Sequence, residues 1–206
     1  LHVSPNGDLV AAGDFTSAGG TAANRISRWN GTNWAALGSG MDAAVHALAT
    51  LPNGDLAAGG VFTTAGGIGA SCIARWNGAN WAGLGSGMSG PVYALATLPG
   101  GNLAAGGSFV TAGGVAAYGI ARWTGSAWLA LGSGMDADVL ALTVLPSGDL
   151  VAGGIFASAG GSAANRIASW NGSAWSALGT GISGSSPSIN ALVPWSASLL
   201  VAGGSF

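Results

Sequence analysis

A nine-residue segment that contains two tryptophans occurs four times in this chain. Each copy begins 47 residues after the previous one. The copies are ISRWNGTNW (26–34), IARWNGANW (73–81), IARWTGSAW (120–128) and IASWNGSAW (167–175). A fixed period of this length is typical of solenoids, propellers and other repeat arrays, so it limits the fold more than any other feature of the sequence.

A column of phenylalanines extends the repeat over the whole chain. Its members are Phe15, Phe62, Phe109, Phe156 and Phe206. The last interval is 50 residues rather than 47, because the loop at 182–190 is longer. We therefore divide the chain, as a single domain, into repeat units at 1–44, 45–91, 92–138, 139–188 and, incomplete, 189–206.

The second unit shows how each repeat is built. Alternating or apolar segments at 45–52, 56–62, 72–76 and 81–88 predict four short strands. Asn-Gly pairs favour tight turns between them, and we interpret TTAGGIGAS (63–71) as a loop. Four strands in 47 residues, without helical periodicity, predict an all-β fold. We expect a β-propeller of four-stranded blades, with about 4.5 blades present in a five-position ring.

The two ends of the sequence leave that ring incomplete. Leu1 aligns with Leu48 in a first strand, and Phe206 follows a second strand, so the last blade has only its two inner strands. We favour a monomeric ring with this half blade. Two alternatives stay open: the chain is a piece of a longer propeller, or it associates with other copies through unpaired strand edges.

Composition argues against several classes of partner. Only 6% of residues are charged and the net charge is −2, so no basic patch for nucleic acid is expected. No apolar run is long enough for a membrane helix, so we expect no membrane insertion. Cys72 is the only cysteine, so neither an internal disulfide nor a paired-cysteine metal site is possible. We predict no cofactor.

The polar residues form no recognisable catalytic set or metal site, so we do not expect an enzyme. His2 and His46 fall in adjacent units and are not expected to share a metal. Asp136 and Asp138 share one loop and could help to bind calcium, but they supply far fewer oxygens than the six to eight that calcium takes. No nucleophile-elbow motif supports a Ser-His-Asp triad.

Two columns of charged residues have structural interpretations. Aspartates in the NGD-type turns are expected to cap those turns; they are Asp8, Asp55 and Asp149. Arginines precede the first tryptophan of three hairpins, at Arg28, Arg75 and Arg122. We interpret each guanidinium group as packed on a neighbouring tryptophan or bonded to loop carbonyls.

The paired tryptophans allow two interpretations. Trp76 and Trp81 flank a four-residue turn and are expected to face each other across a hairpin. Buried indoles would fill the space between blades that are otherwise built from alanine and glycine. Exposed indoles would instead stack on sugars. We favour burial and expect at least six of the eight to be mostly buried.

The repeats resemble known propeller families. LAAGG followed by IARWNGANWAGLGSGM is similar to the kelch pattern. The whole chain resembles more closely the AGGxFxxAGG…IARWNGxxWxxLGSGM repeats of bacterial surface proteins of the delta-60 type, and the fungal bud-site cortical marker carries similar repeats. The resemblance implies a secreted or cell-surface β-propeller. The hairpin also resembles the sialidase Asp-box, but Trp76 occupies the position of its aspartate.

Specificity should lie where the units differ from one another. Two variable columns are expected to open on one face, beside the loops between strands two and three and between blades. The candidate ligand-binding residues are Asn24, Arg25, His46, Ser71, Tyr93, Tyr118, Asn165, Arg166 and Asn190. The opposite face carries nearly uniform turns.

These observations lead to two functional expectations. The first is a non-catalytic, extracellular or cell-surface propeller that acts as a structural, adhesive or interaction scaffold for a glycan or a surface protein. The alternative is a multivalent carbohydrate-binding lectin with one weak site per blade.

Overall fold

The chain folds into a series of antiparallel four-stranded sheets that repeat along the sequence. A computed structural model describes residues 1–196 and 199–206. These residues contain no helix, so the all-β prediction is confirmed. It follows that none of them belongs to a helix able to cross a membrane.

The strands recur in the same order from unit to unit, although the first strand of the last unit begins at Ser188, one residue before the boundary inferred from the sequence. In unit 1 they are β1 (His2–Val3), β2 (Leu9–Ala12), β3 (Ser17–Ala18), β4 (Thr21–Ala22), β5 (Ile26–Trp29) and β6 (Trp34–Ala36). In unit 2 they are β7 (Val45–Thr50), β8 (Leu56–Gly60), β9 (Thr64–Ala65), β10 (Ile68–Gly69), β11 (Ile73–Trp76) and β12 (Trp81–Gly83).

The remaining units continue the same order. In unit 3 the strands are β13 (Val92–Thr97), β14 (Leu103–Gly107), β15 (Thr111–Ala112), β16 (Val115–Ala116), β17 (Ile120–Trp123) and β18 (Trp128–Ala130). In unit 4 they are β19 (Val139–Val144), β20 (Leu150–Gly154), β21 (Ser158–Ala159), β22 (Ser162–Ala163), β23 (Ile167–Trp170) and β24 (Trp175–Ala177). Unit 5 contains β25 (Ser188–Pro194) and β26 (Leu200–Ser205).

Each complete unit contributes a sheet in which its first, second, fifth and sixth strands lie side by side. The third and fourth strands form a separate two-stranded hairpin, which corrects our interpretation of 63–71 as a loop. Gly66 and Gly67 both have positive φ, and Ala65 pairs with Ile68 across them. Such a turn closes a tight hairpin, but two-residue strands are too short to show alternation in the sequence.

The predicted tryptophan hairpin is confirmed. Trp76 pairs directly with Trp81 between β11 and β12, and their ring centroids lie 5.4 Å apart. The side-chain oxygen of Asn77 accepts hydrogen bonds from the backbone N–H groups of Ala79 and Asn80. Gly78 supplies the positive φ that this turn requires.

The hydrophobic core lies between successive sheets rather than within one. Between units 2 and 3, Ile73 and Leu84 on one side pack with Leu103 and Trp128 on the other. Equivalent clusters form at the other three junctions between consecutive units. The sheets approach closely because their second strands carry alanine and glycine. A Cβ on Gly106, for example, would lie 2.6 Å from a methyl group of Val139 in the next unit.

Unit 5 has an uncovered face. In units 2 to 4 every residue of the second strand is buried. In unit 5, by contrast, Val201 is 52% exposed and the neighbouring Trp195 is 74% exposed. Leu1 and Val3 are likewise exposed on unit 1. The first and last units therefore do not pack against each other as consecutive units do.

Candidate functional site

The innermost strand of each sheet has a bulge near its start. The pairing register shifts between Val45 and Ala47 in unit 2, and at the equivalent positions of units 3 to 5. The bulged residues are His46, Tyr93, Leu140 and Asn190, the variable column identified from the sequence. A bulge leaves one residue unpaired and redirects its side chain, so it frees these residues from the ladder.

These innermost strands surround one central cavity of about 480 Å³. Residues from all five units line it, including Leu1, Ala12, His46, Ala94 and Asn190. The strands β7, β13, β19 and β25 lie next to one another around this cavity. The rings of His46 and Tyr93 contact each other at a centroid distance of 5.6 Å. Three candidate residues, His46, Tyr93 and Asn190, are thus associated with the innermost strands.

The second variable column has an unusual backbone conformation. Arg25, Cys72 and Arg166 have φ values of 66°, 63° and 66°, and Gly119 occupies the same position with φ 68°. Left-handed φ is uncommon for residues other than glycine, asparagine and aspartate. The conformation is held by hydrogen bonds within the unit: the N–H of Arg25 donates to Phe15, and the N–H of Gly119 donates to Phe109.

Some of the residues that directly precede this column make hydrogen bonds that hold the fold of their unit. The side-chain amide of Asn24 donates to the carbonyl of Ser39 at 3.0 Å, and Asn165 makes the equivalent bond to Thr180 at 2.9 Å. The carbonyl of Ser71 accepts a hydrogen bond from the N–H of Met88. Asn24 and Asn165 therefore hold the exit loop of their own unit, which leaves them less free to bind a ligand.

The side chain at the left-handed position differs from unit to unit, and so do its contacts. Arg25 lies 3.5 Å from Asp14, and Nε of Arg166 donates to the carbonyl of Pro187 at 3.3 Å. Cys72 is half-buried, and burial followed by the negative charge of Asp42 raises the pKa of its thiol. Gly119 has no side chain to occupy the equivalent space in unit 3.

A pocket of about 360 Å³ lies next to Gly119, beside the exit loop of unit 3. Tyr118, Ser89, Asp136 and Asp138 contribute its polar lining. Tyr118 is 52% exposed. The structure thus places Tyr118 beside the two aspartates that we had weighed as partial calcium ligands. Among the described residues, no group of three or more His, Cys, Asp or Glu side chains could hold a metal.

One of these aspartates has a structural role that sequence reasoning missed. Oδ1 of Asp136 accepts hydrogen bonds from the backbone N–H groups of Ala157 and Ser158 in the next unit. Asp42 does the same for Thr63 and Thr64. A polar residue directly after each buried methionine, as in Met41-Asp42, Met88-Ser89 and Met135-Asp136, was the available signal. Oγ of Ser89 accepts the equivalent bonds from Val110 and Thr111, so this column links unit 1 to unit 2, unit 2 to unit 3 and unit 3 to unit 4.

These bonds also set the acidity of the linking carboxylates. Burial favours the neutral form of Asp42, but the hydrogen bonds from Thr63 and Thr64 outweigh it, so its pKa lies below its ordinary value. The pKa of Asp136 is lowered in the same way, since hydrogen bonds from Ser158 and Ala157 outweigh the effect of burial. Both side chains are expected to be ionised at neutral pH.

The arginines on the opposite face correct one of our interpretations. Arg28 lies 3.5 Å from Asp8, and Arg75 lies 3.4 Å from Asp55. They therefore pair with the turn aspartates rather than with tryptophans or loop carbonyls. In unit 3 the turn carries Asn102 in place of aspartate, and Nε of Arg122 is buried without a hydrogen-bond partner.

The structure places His2 beside a threonine of the next unit. Nε2 of His2 lies 2.6 Å from the hydroxyl oxygen of Thr50. Burial, then the positive amino terminus, lowers the pKa of His2. Within residues 1–196 and 199–206, no carboxylate hydrogen-bonds either histidine. His2 therefore lacks the third, orienting group that a nucleophile–base pair uses.

The burial predicted for the hairpin tryptophans is confirmed. Trp81, Trp128 and Trp175 are buried, and the other five indoles of the four hairpins are partly buried. Each buried indole donates its N–H to a backbone carbonyl of the previous unit. The pairs are Trp81 with Leu37, Trp128 with Leu84 and Trp175 with Leu131. These indoles join units together.

The fold defines the class of this protein, which is all-β and consists of repeated four-stranded sheets in a propeller-like array. In structure the chain is similar to the computationally designed protein Ika8, with a TM-score of 0.57 and 19% sequence identity. The similarity covers 87% of this chain and 49% of the Ika8 chain, so our chain spans about half the length of that protein. At this identity the likeness concerns the fold alone.

The sequence comparisons add no family. No protein-family model matches the chain, and no curated protein sequence matches it. The resemblance to kelch-like and delta-60-type repeats therefore stays a prediction from the motifs.

Proposed function

We propose that the chain is a β-propeller with five positions around one axis, the fifth occupied by the half unit. The main support is the central cavity, which residues from the inner strands of all five units line together. The uncovered Val201 and Leu1 mark an open seam between the last and first units. We expect a monomer in dilute solution and association at high concentration through this seam.

We further propose that the protein is a non-catalytic interaction scaffold that works outside the cell or at its surface. The observation that carries this proposal is that one set of positions bonds neighbouring units together, while the variable columns include side chains that make no such bond. Trp128 and Asp136 belong to the first set, because each bonds to a neighbouring unit. Tyr93 and Tyr118 belong to the variable columns, which we expect to open on one face. The motif resemblance to surface proteins supports the location.

The lectin alternative receives less support from the tryptophans. A sugar-stacking indole needs an open ring face, but Trp81, Trp128 and Trp175 are buried and use their N–H groups internally. A carbohydrate could still contact the variable face, where His46 and Tyr93 form an aromatic pair. A glycan is therefore one class of ligand for the scaffold rather than a separate proposal with one site per unit.

A combined glycan and peptide array tests the function. We expect binding that is lost in a double variant, Tyr93→Ala with Tyr118→Ala, and kept in Ala79→Ser on the opposite face. Both tyrosines belong to the variable columns, and neither side chain makes a hydrogen bond within the described part of the chain. Binding that resists the double variant but fails in the control would contradict the proposal, as would the absence of any ligand.

A further inference from the structure

The chain itself shows how the end of one unit binds a guanidinium group. In unit 4, Nε of Arg166 donates to the carbonyl of Pro187, just before the first strand of unit 5, at 3.3 Å. Nη1 of the same side chain lies 3.5 Å from the carbonyl oxygen of Phe156. These two backbone carbonyls form a cradle in which a partly buried guanidinium group is held.

The equivalent cradle in unit 3 contains no arginine side chain. Gly119 stands where Arg166 stands one unit later, and Ala137 and Phe109 correspond to Pro187 and Phe156. A Cβ on Gly119 would lie 3.2 Å from the carbonyl oxygen of Ala137, so the cradle carbonyl is in place. The 360 Å³ pocket is the space that an arginine would otherwise enter.

The pocket is lined by negatively charged side chains and by no positively charged one that could neutralise them. Asp136 and Asp138 line it, and no lysine, arginine or histidine does. The carboxylate of Asp138 has no hydrogen bond or ion pair within the described part of the chain. In unit 1, by contrast, Arg25 is present at the equivalent position and lies 3.5 Å from Asp14. The pocket with two aspartates thus lacks a cation of its own.

The ring of Tyr118 adds a surface on which a planar cation can stack. Tyr118 lines the pocket and is 52% exposed. Guanidinium groups stack on aromatic faces and present their donors in a planar fork that suits carboxylates. The ammonium group of lysine offers neither the plane nor the fork, and calcium would need more oxygens than the pocket supplies.

We propose that the pocket beside Gly119 in unit 3 binds an alkylguanidinium group, such as an arginine side chain of a partner protein. The guanidinium group stacks against Tyr118 and donates to Asp138 and to the carbonyl of Ala137. The inference rests on the proposed role as an interaction scaffold and names the chemistry that one part of the variable face recognises.

Isothermal titration with N-acetyl-arginine methylamide tests the site directly. The matched ligands are the citrulline analogue, which has the same shape without the charge, and the lysine analogue. The variant Gly119→Arg should fill the cradle with its own guanidinium group. Arg25 and Arg166 already adopt the required φ, so the fold should tolerate the change. Asp138→Asn removes the carboxylate that has no partner in the described part of the chain. Asp14→Asn, which removes a carboxylate in unit 1, is the control.

We expect saturable binding of the arginine compound that Gly119→Arg abolishes and that Asp138→Asn weakens about tenfold or more, as loss of a charge-assisted hydrogen bond does. Asp14→Asn should leave it unchanged. Equal binding of the citrulline or lysine analogue would overturn the proposal, and so would no binding at all. If binding on the array persists while this titration shows none, guanidinium binding in the pocket is refuted but the proposed scaffold function is not.

Discussion

The indole nitrogen of Trp128 donates a 2.8 Å hydrogen bond to the carbonyl oxygen of Leu84, which lies 44 residues earlier in the previous unit. Trp81 and Trp175 repeat this bond at the junctions on either side. Each bond satisfies a buried polar group on both partners, and the ring fills the space between two sheets. This contact makes neighbouring units dependent on each other for stability.

Trp128→Ala should therefore lower the free energy of unfolding by about 3–5 kcal/mol, the usual cost of deleting a buried large aromatic. Trp34→Ala is the matched control. Trp34 occupies the same position in unit 1, but it is only partly buried and its N–H makes no hydrogen bond to a preceding unit. Urea unfolding of both variants would measure the difference. If both variants lost the same free energy of unfolding, the contribution of Trp128 would not come from packing between units.

Two glycines with nearly the same positive φ allow a second test of the packing between units. Gly85 and Gly179 have φ of +62° and +60°, but a Cβ on Gly85 would lie 3.2 Å from Trp123, whereas one on Gly179 would meet nothing within 4 Å. Gly179→Ala should cost only the left-handed backbone penalty of about 1–2 kcal/mol.

Gly85→Ala should cost about 1–3 kcal/mol more, because it also crowds the tryptophan pair. Thermal unfolding of the two variants is the measurement. If Gly179→Ala were as destabilising as Gly85→Ala, the junction beyond unit 4 would have to be filled in solution.

Stability should fall on acidification in two separate ranges. Burial and the positive amino terminus lower the pKa of His2 from 6.5, so the unfolded chain binds a proton that the folded chain does not. Stability therefore decreases as the pH falls from about 6.5 through the lower folded pKa of His2. The variant His2→Gln should lose this first decrease and nothing else.

The second range belongs to the linking aspartates. The pKa values of Asp42 and Asp136 lie below 3.8, so their stabilising bonds are present above that pH and are lost as the pH falls through their folded pKa values. Asp42→Asn should reduce this decrease, while Asp14→Asn serves as the control. A series of melting temperatures against pH would separate the two ranges, and a single transition common to all variants would contradict the assignment.

The open seam predicts concentration-dependent association. Val201 and Trp195 present large apolar groups beside the unpaired edge of β26, and Leu1 and Val3 do so on unit 1. Exposed apolar patches and free strand edges favour contacts between chains. Light scattering should show a monomer when dilute and larger species when concentrated. Val201→Lys should suppress the larger species, whereas Val115→Lys, at an exposed site on β16, should not.

Most of the strand pattern could be predicted from the sequence, because it depends on local chemistry. The Asn-Gly turn at Asn77-Gly78 and the alternation before it place Trp76 opposite Trp81 without any knowledge of the rest of the chain. The small hairpin around Gly66 could not be found, since two-residue strands carry no periodic signal. Arg28 was assigned the wrong partner, because Asp8 is distant in sequence and only the pairing of β2 with β5 brings them together.

The sequence by itself determined the repeat length, the strands of each sheet and the division between uniform and variable positions, because these follow from turn chemistry and apolar patterning within one unit. Only the tertiary structure decided what each position contacts in the next unit. Trp128 reaches Leu84 and Asp136 binds the backbone at Ala157 because one sheet stacks on another at a particular distance. Because that stacking depends on side chains from two units at once, it cannot be predicted from the pattern within one unit.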